Sequence, residues 1–403
     1  MDPPPPTAAG EPQRRVPLAA LVVAGWAVLR ELQLAFAAGG FGNDVNGYFG
    51  YARAWAEGRI PYVDYQVEYP PGALIFFLLP FLAGGRERYI KSFVFEMAVF
   101  DFACLLLVLA FAERLYPGER RRQALCAAVY LAATALLHPV LYARFDLAPA
   151  AIAAAALFFW AARPGASAAL LGLGGAVKVW PLALAPLWVG AAYRKSGSRG
   201  ALRTAGLIAL GYCAPALLLL PRAGGHVLEF LRFHTARGLQ IESTWGSLAL
   251  AFGGGPVFEY GAWDVQCRAC EALAKVSIPA LLLLVILPQA LLLARPAEPD
   301  ARRVLTGVAA VITGFLIAGK VLSPQFVLWL CPLLAVAGAP AQGMLVAVAA
   351  LTSLTYPMLY PALVDARTAG HALAIACVFA RNLLLVAVYG WLLTQLRARP
   401  RPA

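Results

Sequence analysis

Apolar runs separated by short polar stretches cover almost the whole chain after Val16. A bilayer needs about 20 apolar residues per helix, and the first run, Val16–Ala37, meets that length. A polar, aromatic-rich stretch follows, from Ala38 to Pro71. Gly72–Ala83 is apolar again, but at about 1.5 Å per residue it covers only ~18 Å, and it carries Pro80. It reads as a re-entrant or surface-lying segment. Ser92–Glu113 is the next full span. Two short helices are expected in Ala166–Tyr193, meeting near Lys178-Val-Trp-Pro181, and two more meeting near Lys320-Val-Leu-Ser-Pro-Gln325. The pattern predicts an all-α polytopic membrane protein, a bundle of about twelve helices, some short or re-entrant.

Two polar stretches carry a helical period of their own. Tyr48, Ala52 and Trp55 share one face, with Arg53 and Glu57 spaced i,i+4 on another. Between His226 and Arg237, the residues Val227, Leu228, Phe230, Leu231 and Phe233 make an apolar face. Both predict amphipathic helices lying at the interface in extracytoplasmic loops.

Charge orients the bundle. Arg14 and Arg15 precede the first span and place the amino end in the cytoplasm. Arg120-Arg121-Arg122, Arg163, Arg194-Lys195 with Arg199 and Arg203, Arg295 with Arg302-Arg303, and Arg397, Arg399 and Arg401 then share that side. Asp44, Asp64, Glu68, Asp146, Glu242, Glu259 and Asp264 fall on the other. The excess of 33 Lys+Arg over 21 Asp+Glu is therefore a topology signal, not a nucleic-acid one. At 403 residues, 61% hydrophobic and 13% charged, the chain has more apolar surface than a soluble domain hides. One membrane domain, 16–396, is expected between a proline-rich cytoplasmic tail, 1–15, and a basic tail, 397–403. The use of Ala and of Arg over Lys fits a GC-rich bacterial genome, hence a plasma-membrane location. Among seven cysteines, Cys267-Arg-Ala-Cys270 is the one close pair. With no second pair and no histidine set nearby, it is a local disulfide or two free thiols, not a zinc site.

Candidate chemistry gathers in the outer loops. The first holds Asp44 in a glycine setting, Phe41-Gly-Asn-Asp-Val-Asn-Gly-Tyr48, then Gly58-Arg-Ile-Pro-Tyr62-Val-Asp64 and Glu68-Tyr-Pro-Pro71. Asp44 is either a catalytic base or the N-cap of the helix that follows, although Asn43 caps equally well. The second is His138-Pro-Val-Leu-Tyr-Ala-Arg144-Phe-Asp146, whose Arg144 and Asp146 are placed to pair with each other. Lys178, where two half-length helices meet, either snorkels to the surface or binds an anion in a cavity. The loop after Pro221 supplies Arg237, Gln240 and Glu242, and a final segment supplies Lys320 and Ser323-Pro-Gln325, with Trp329 one turn on. A carboxylate among cations, amides and aromatics suits attack by a hydroxyl on a sugar whose leaving group is a lipid phosphate. A phosphate leaves without protonation, so one base and a few cations suffice, whereas a glycosidase needs two carboxyls.

These residues resemble the GT-C class of integral-membrane glycosyltransferases. Within it they are most similar to glycosyltransferase family 87, the polyprenyl-phosphate-mannose-dependent mannosyltransferases and their bacterial relatives. The resemblance rests on Asp44, on Gly58-x-x-Pro61-Tyr62 with Tyr69-Pro70-Pro71, on Lys178-x-x-Pro181, on Arg237-Gly-Leu-Gln-Ile-Glu-Ser243, and on Ser323-Pro324 with Trp329. It covers nearly all of the chain after Val16. It implies a GT-C fold, inversion at the anomeric carbon, and a polyprenyl-phosphate sugar donor, mannose or another hexose. It further implies a glycan or glycolipid acceptor, membrane lipids as surroundings, and Asp44 as the base. Tyr48, Arg53, Tyr62, Asp64, Glu68, Arg144, Lys178, Arg237, Gln240, Glu242, Lys320 and Gln325 are the substrate-binding candidates. Gln325 and Phe326 follow Ser323-Pro324 where characterised members often carry histidine, which leaves sugar and acceptor open. No Asp-x-Asp pair accompanies Asp44, so no obligatory metal or other cofactor is expected. The rival readings are a lipid or solute transporter, which would place ionisable groups near the midplane, whereas the polar residues here are expected to gather on one surface and not within the spans, and a non-catalytic cell-envelope assembly subunit.

Overall fold

The computed structural model describes residues 17–36, 43–295 and 299–398. The tail at 1–15, Phe41 and Gly42 of the first loop, and Arg399 and Arg401 lie outside them. The chain is mainly helical, and seven of its helical stretches are long and apolar enough to cross a bilayer among the described residues. In chain order the helices open with α1 (Leu18–Phe36), α2 (Asn43–Ala56), α3 (Ala73–Leu78), α4 (Arg86–Leu115) and α5 (Arg120–Leu136). They continue with α6 (His138–Leu141), α7 (Leu147–Phe158), α8 (Pro164–Val177), α9 (Ala185–Ala223) and α10 (Phe230–Ala236). The remainder are α11 (Thr244–Ala251), α12 (Cys270–Leu293), α13 (Ala301–Ala318), α14 (Cys331–Leu334), α15 (Ala339–Ser353), α16 (Tyr360–Val364) and α17 (His371–Arg397).

The core runs along α13, which is buried almost without interruption from Val304 to Ala318 and packs against α12 and α17. Helices at the periphery expose Leu21, Val28, Phe95, Leu202, Leu218 and Leu283, the apolar surface that lipid covers. The helix pair expected around Lys178 is present, α8 rising to a break at Lys178 and a 3₁₀ turn, Trp180–Leu184, leading into α9. Glycine lets α8 and α9 touch backbone to backbone. A Cβ on Gly172 would come 2.1 Å from the Ile208 carbonyl oxygen, and one on Gly211 2.3 Å from that of Ala169. The break expected at Lys320 is likewise present, between α13 and a 3₁₀ turn at Pro324–Trp329. Gly72–Ala83 forms only α3 and a 3₁₀ turn, Pro80–Ala83, before Gly84 and Gly85 turn the chain into α4.

Three expectations need correction. The chain is not all-α: β1 (Leu239–Gln240), β2 (Gly255–Glu259) and β3 (Ala262–Gln266) form an antiparallel sheet in the order β1-β3-β2. The β2–β3 hairpin turns on Tyr260 and Gly261, both at positive φ, as a two-residue loop between right-twisted strands requires. This sheet, α11, α16 and the start of α17 enclose a second small core of Ile241, Leu250, Val265, Leu363 and Val378, flanked by a Cys267–Cys270 disulfide. The helix expected over His226–Arg237 divides into a 3₁₀ turn, Gly224–Leu228, and α10. Of its apolar face, Val227 and Phe230, three residues apart, are buried, while Leu228 and Leu231 are exposed.

The third correction concerns charge within the spans. Asp101, in the middle of α4, accepts hydrogen bonds from Arg30 of α1 (2.7 and 3.1 Å), Trp26 Nε1 (2.6 Å), Tyr130 (2.7 Å) and Tyr142 (3.1 Å). Arg30 also donates to Thr134 Oγ1 at 2.6 Å. Both charges are buried. Much of α1 is exposed, and this polar clamp, with the Gln33 bond to the Ala135 carbonyl at 3.1 Å and the Trp26–Phe102 ring contact, fixes it to α4 and α5. Removing one partner of a buried pair costs about 3–5 kcal/mol, while replacing both with apolar groups is often neutral. Asp101→Ala is therefore expected to lower the unfolding temperature in detergent sharply, and Arg30→Met combined with Asp101→Leu to recover most of the loss. Wild-type stability in Asp101→Ala would contradict the clamp.

Candidate functional site

Five consecutive residues, Tyr142 to Asp146, gather the polar loops. They sit between α6 and α7, and four of them reach different elements. Tyr142 reaches down to Asp101 (3.1 Å). Arg144 forms an ion pair with Asp44 in the first turn of α2. Phe145 meets Tyr69 and Phe77 edge-on, with centroids 4.9 and 5.3 Å away. Asp146 takes the Lys178 ammonium at 2.7 Å and the Trp329 Nε1–H at 2.7 Å.

The expected Arg144–Asp146 pairing is thus wrong: each turns to a partner from another loop. Asp44 is not unpaired, and the capping reading is displaced too, since Asp44 lies inside α2 with its carboxylate on Arg144. A carboxylate there still gains from the positive end of the helix dipole. Its side chain keeps 37% of its exposure, against 15% for Arg144 and 1% for Asp146. Of the three, Asp44 is the group a substrate can reach.

An aromatic cup surrounds the pair. Tyr48, one turn after Asp44, stacks on Phe77 with centroids 4.3 Å apart, and its buried hydroxyl makes no hydrogen bond among the described residues. Burial raises its pKa, with Arg144 pulling the other way and Asp44 and Asp146 adding to the rise. Glu68 lies beside Tyr51 and Tyr69, and both rings also feel Asp44, so the two carboxylates share one rim. The first loop is pinned by Gly72, whose N–H donates to the Ala176 carbonyl at 2.9 Å. A Cβ on Gly72 would lie 2.6 Å from that oxygen, so the loop seats against the end of α8 only with glycine there.

The other rim comes from the loop after α10. Arg237 Nε lies 3.9 Å from Asp264 on β3, and Lys320 donates to the Arg237 carbonyl at 2.6 Å. Burial lowers the Lys320 pKa and raises that of Asp264. Glu242 is buried against Arg381 of α17, whose Nη1 is 3.7 Å from its carboxylate. Arg381 and Asn382 also donate to the Glu242 carbonyl. Arg144 acts on Glu242 and on Tyr360, so both rims converge on it.

Several candidates serve the fold instead. Arg53 pairs with Glu57 at 2.8 Å on the exposed face of α2, away from Asp44. Asp64 accepts from the Ile60 N–H at 2.6 Å and closes a local turn. Tyr62, at φ 66°, donates to the Tyr69 carbonyl. Gln240 braces two segments, accepting from Leu322 N–H at 2.7 Å and donating to Ser323 Oγ at 3.0 Å. Gln325 is half-buried beside Phe326, whose ring stacks on Trp329. Lys178 lies in no open anion site: Asp146 neutralises it, and Phe145, Phe326 and Trp329 rings face it at 5.0, 4.7 and 5.4 Å. Of the cations expected to meet a leaving phosphate, Arg144, Lys178 and Arg237 each lie beside a carboxylate. Arg381, Tyr360 and Tyr356, whose ring meets that of Tyr360 at 5.2 Å within reach of Arg144, went unforeseen; Arg381, an arginine inside an apolar run, was a signal in itself.

Compared with known protein families and curated proteins, the chain matches none.

Burial raises the Glu242 carboxyl to about 7, against the pull of Arg381, Arg144 and Arg237. Its folded-state pKa lies above the unfolded one, so the folded state binds the extra proton. This group's contribution to stability is full below the ordinary range near 4.3 and is lost as pH rises through about 7. Thermal stability is expected to fall from about pH 5 to about pH 8 on this account. Glu242→Gln, which keeps the neutral form, should flatten that slope; an unchanged slope would assign it elsewhere.

Proposed function

We propose that the chain is a polytopic membrane glycosyltransferase of the GT-C type, with about twelve crossings once the shorter helices are included. In this reading it moves a sugar from a polyprenyl phosphate to an acceptor hydroxyl on the extracytoplasmic side, with inversion. The observation that supports it most is the Asp44–Arg144 pair: a partly exposed carboxylate beside a buried guanidinium, ringed by Tyr48, Tyr51 and Tyr69. Asp44 takes the proton from the acceptor hydroxyl as its oxygen bonds to the anomeric carbon. The bond from that carbon to the phosphate oxygen breaks on the opposite face, and the polyprenyl phosphate leaves with the electron pair. Arg144 has five N–H donors in a planar fork, enough to hold Asp44 with one edge and meet the phosphate with another. Tyrosine rings around the pair supply faces for the sugar.

The Arg30–Asp101 pair in mid-span favours the transporter reading, because ionisable groups inside a bundle commonly mark a path. Asp101, however, is fully buried and already accepts from four side chains, which describes a fixed strut. Membranes containing the protein, given radiolabelled polyprenyl-phosphate hexoses with mannose first, are expected to form a new glycosylated product. Asp44→Asn should lower turnover at least a hundredfold, the scale of a lost general base, with normal expression. Full activity in that variant removes Asp44 as base; label carried into vesicles with no covalent product supports transport instead.

A further inference from the structure

At the far end of the bundle lies a cavity of about 560 Å³. Arg86, at the start of α4, bonds Asn46 of α2 at 2.8 Å, near Asp44. Phe111 and Arg114, which line the cavity, come 25 or more residues later on the same helix, about 38 Å away at 1.5 Å per residue. The cavity is therefore separate from the Asp44 site.

Its lining has two characters. Phe158, Trp160, Trp188 and Leu207 form apolar walls, while Arg114, Arg194, Lys195 and Arg203 bring positive charge. Among the described residues that line it, none is acidic. Arg114 is held in place by the Phe158 carbonyl at 2.9 Å and lies over the Phe158 ring at 3.8 Å. Lys195 and Arg203, both exposed, make no hydrogen bond or ion pair among the described residues. They flank a break in α9 at Ser196 and Gly197, where φ of Gly197 is +60°. The second half of α9 begins there, and Ser196 and Gly200 line the cavity, so the positive end of its dipole adds to the cations.

We propose that this cavity binds one anionic phospholipid, its phosphate at Lys195 and Arg203 and its acyl chains against the aromatic walls. Charge complementarity selects the headgroup. The walls, which a free phosphate would leave exposed, select an amphiphile.

The test uses the full-length protein in a neutral detergent, with lipid retention read by native mass spectrometry. Dioleoyl phosphatidylglycerol is expected to be retained about tenfold better than dioleoyl phosphatidylcholine. Each cation near an anionic headgroup contributes roughly fivefold, so Lys195→Gln with Arg203→Gln should weaken phosphatidylglycerol retention on the order of tenfold or more. Those two changes should leave the unfolding temperature in detergent alone unchanged. Thr204→Trp, which fills the cavity, should weaken retention independently. Arg120→Gln with Arg121→Gln, cations outside the cavity, should not. Equal retention of the two lipids, an equal loss from the outside pair, or displacement of phosphatidylglycerol by equimolar inorganic phosphate would each overturn the proposal.

Discussion

Arg144 carries a charge that is largely shut off from water, and the polar loops at its end of the bundle are arranged around it. An unpaired guanidinium in a low-dielectric interior is costly enough that its partners are fixed by necessity. Asp44, from α2, is its ion-pair partner; un-ionised tyrosines from the first loop and from the segment before α17 surround it, and Glu242, from the loop that also builds the small sheet, lies within reach of its charge. The same logic repeats one layer down, where Asp146 holds Lys178, and in mid-span, where Asp101 holds Arg30.

The two deeper pairs have the character of structure, and the upper one that of a site. Asp101 and Asp146 are almost wholly enclosed, Asp101 accepting from four side chains and Asp146 Oδ1 from Lys178 and Trp329, so neither lies open to a substrate from outside. Asp44 retains access from outside. The segment from Tyr142 to Asp146 touches all three levels within five residues.

Much of this was legible in the sequence, where periodicity or composition carries the information. The helical face of Tyr48, Ala52 and Trp55, the i,i+4 pair Arg53–Glu57, and the breaks at Lys178 and Lys320 follow from spacing and from proline. The hairpin at Tyr260-Gly261 was present as a two-residue turn between β-branched and aromatic residues, but short strands in a helical chain give a weak signal. What one sequence could not reveal was partner choice. Arg144 and Asp146 are two residues apart and look like a pair, yet adjacent side chains diverge and tertiary neighbours win. Arg30, Asp101 and Arg381 were visible as charges inside apolar runs; expecting chemistry only in loops hid them.

The central claim is that Asp44 and Arg144 jointly face the reacting bond. A cryo-electron-microscopy structure with a non-transferable phosphonate analogue of a polyprenyl-phosphate hexose tests it most directly. The account predicts the phosphonate oxygens in ion-pair contact with Arg144 and the sugar between Asp44 and the Tyr48–Tyr69 cup. Ordered analogue lodged elsewhere, with the Asp44–Arg144 pair closed and untouched, would contradict it.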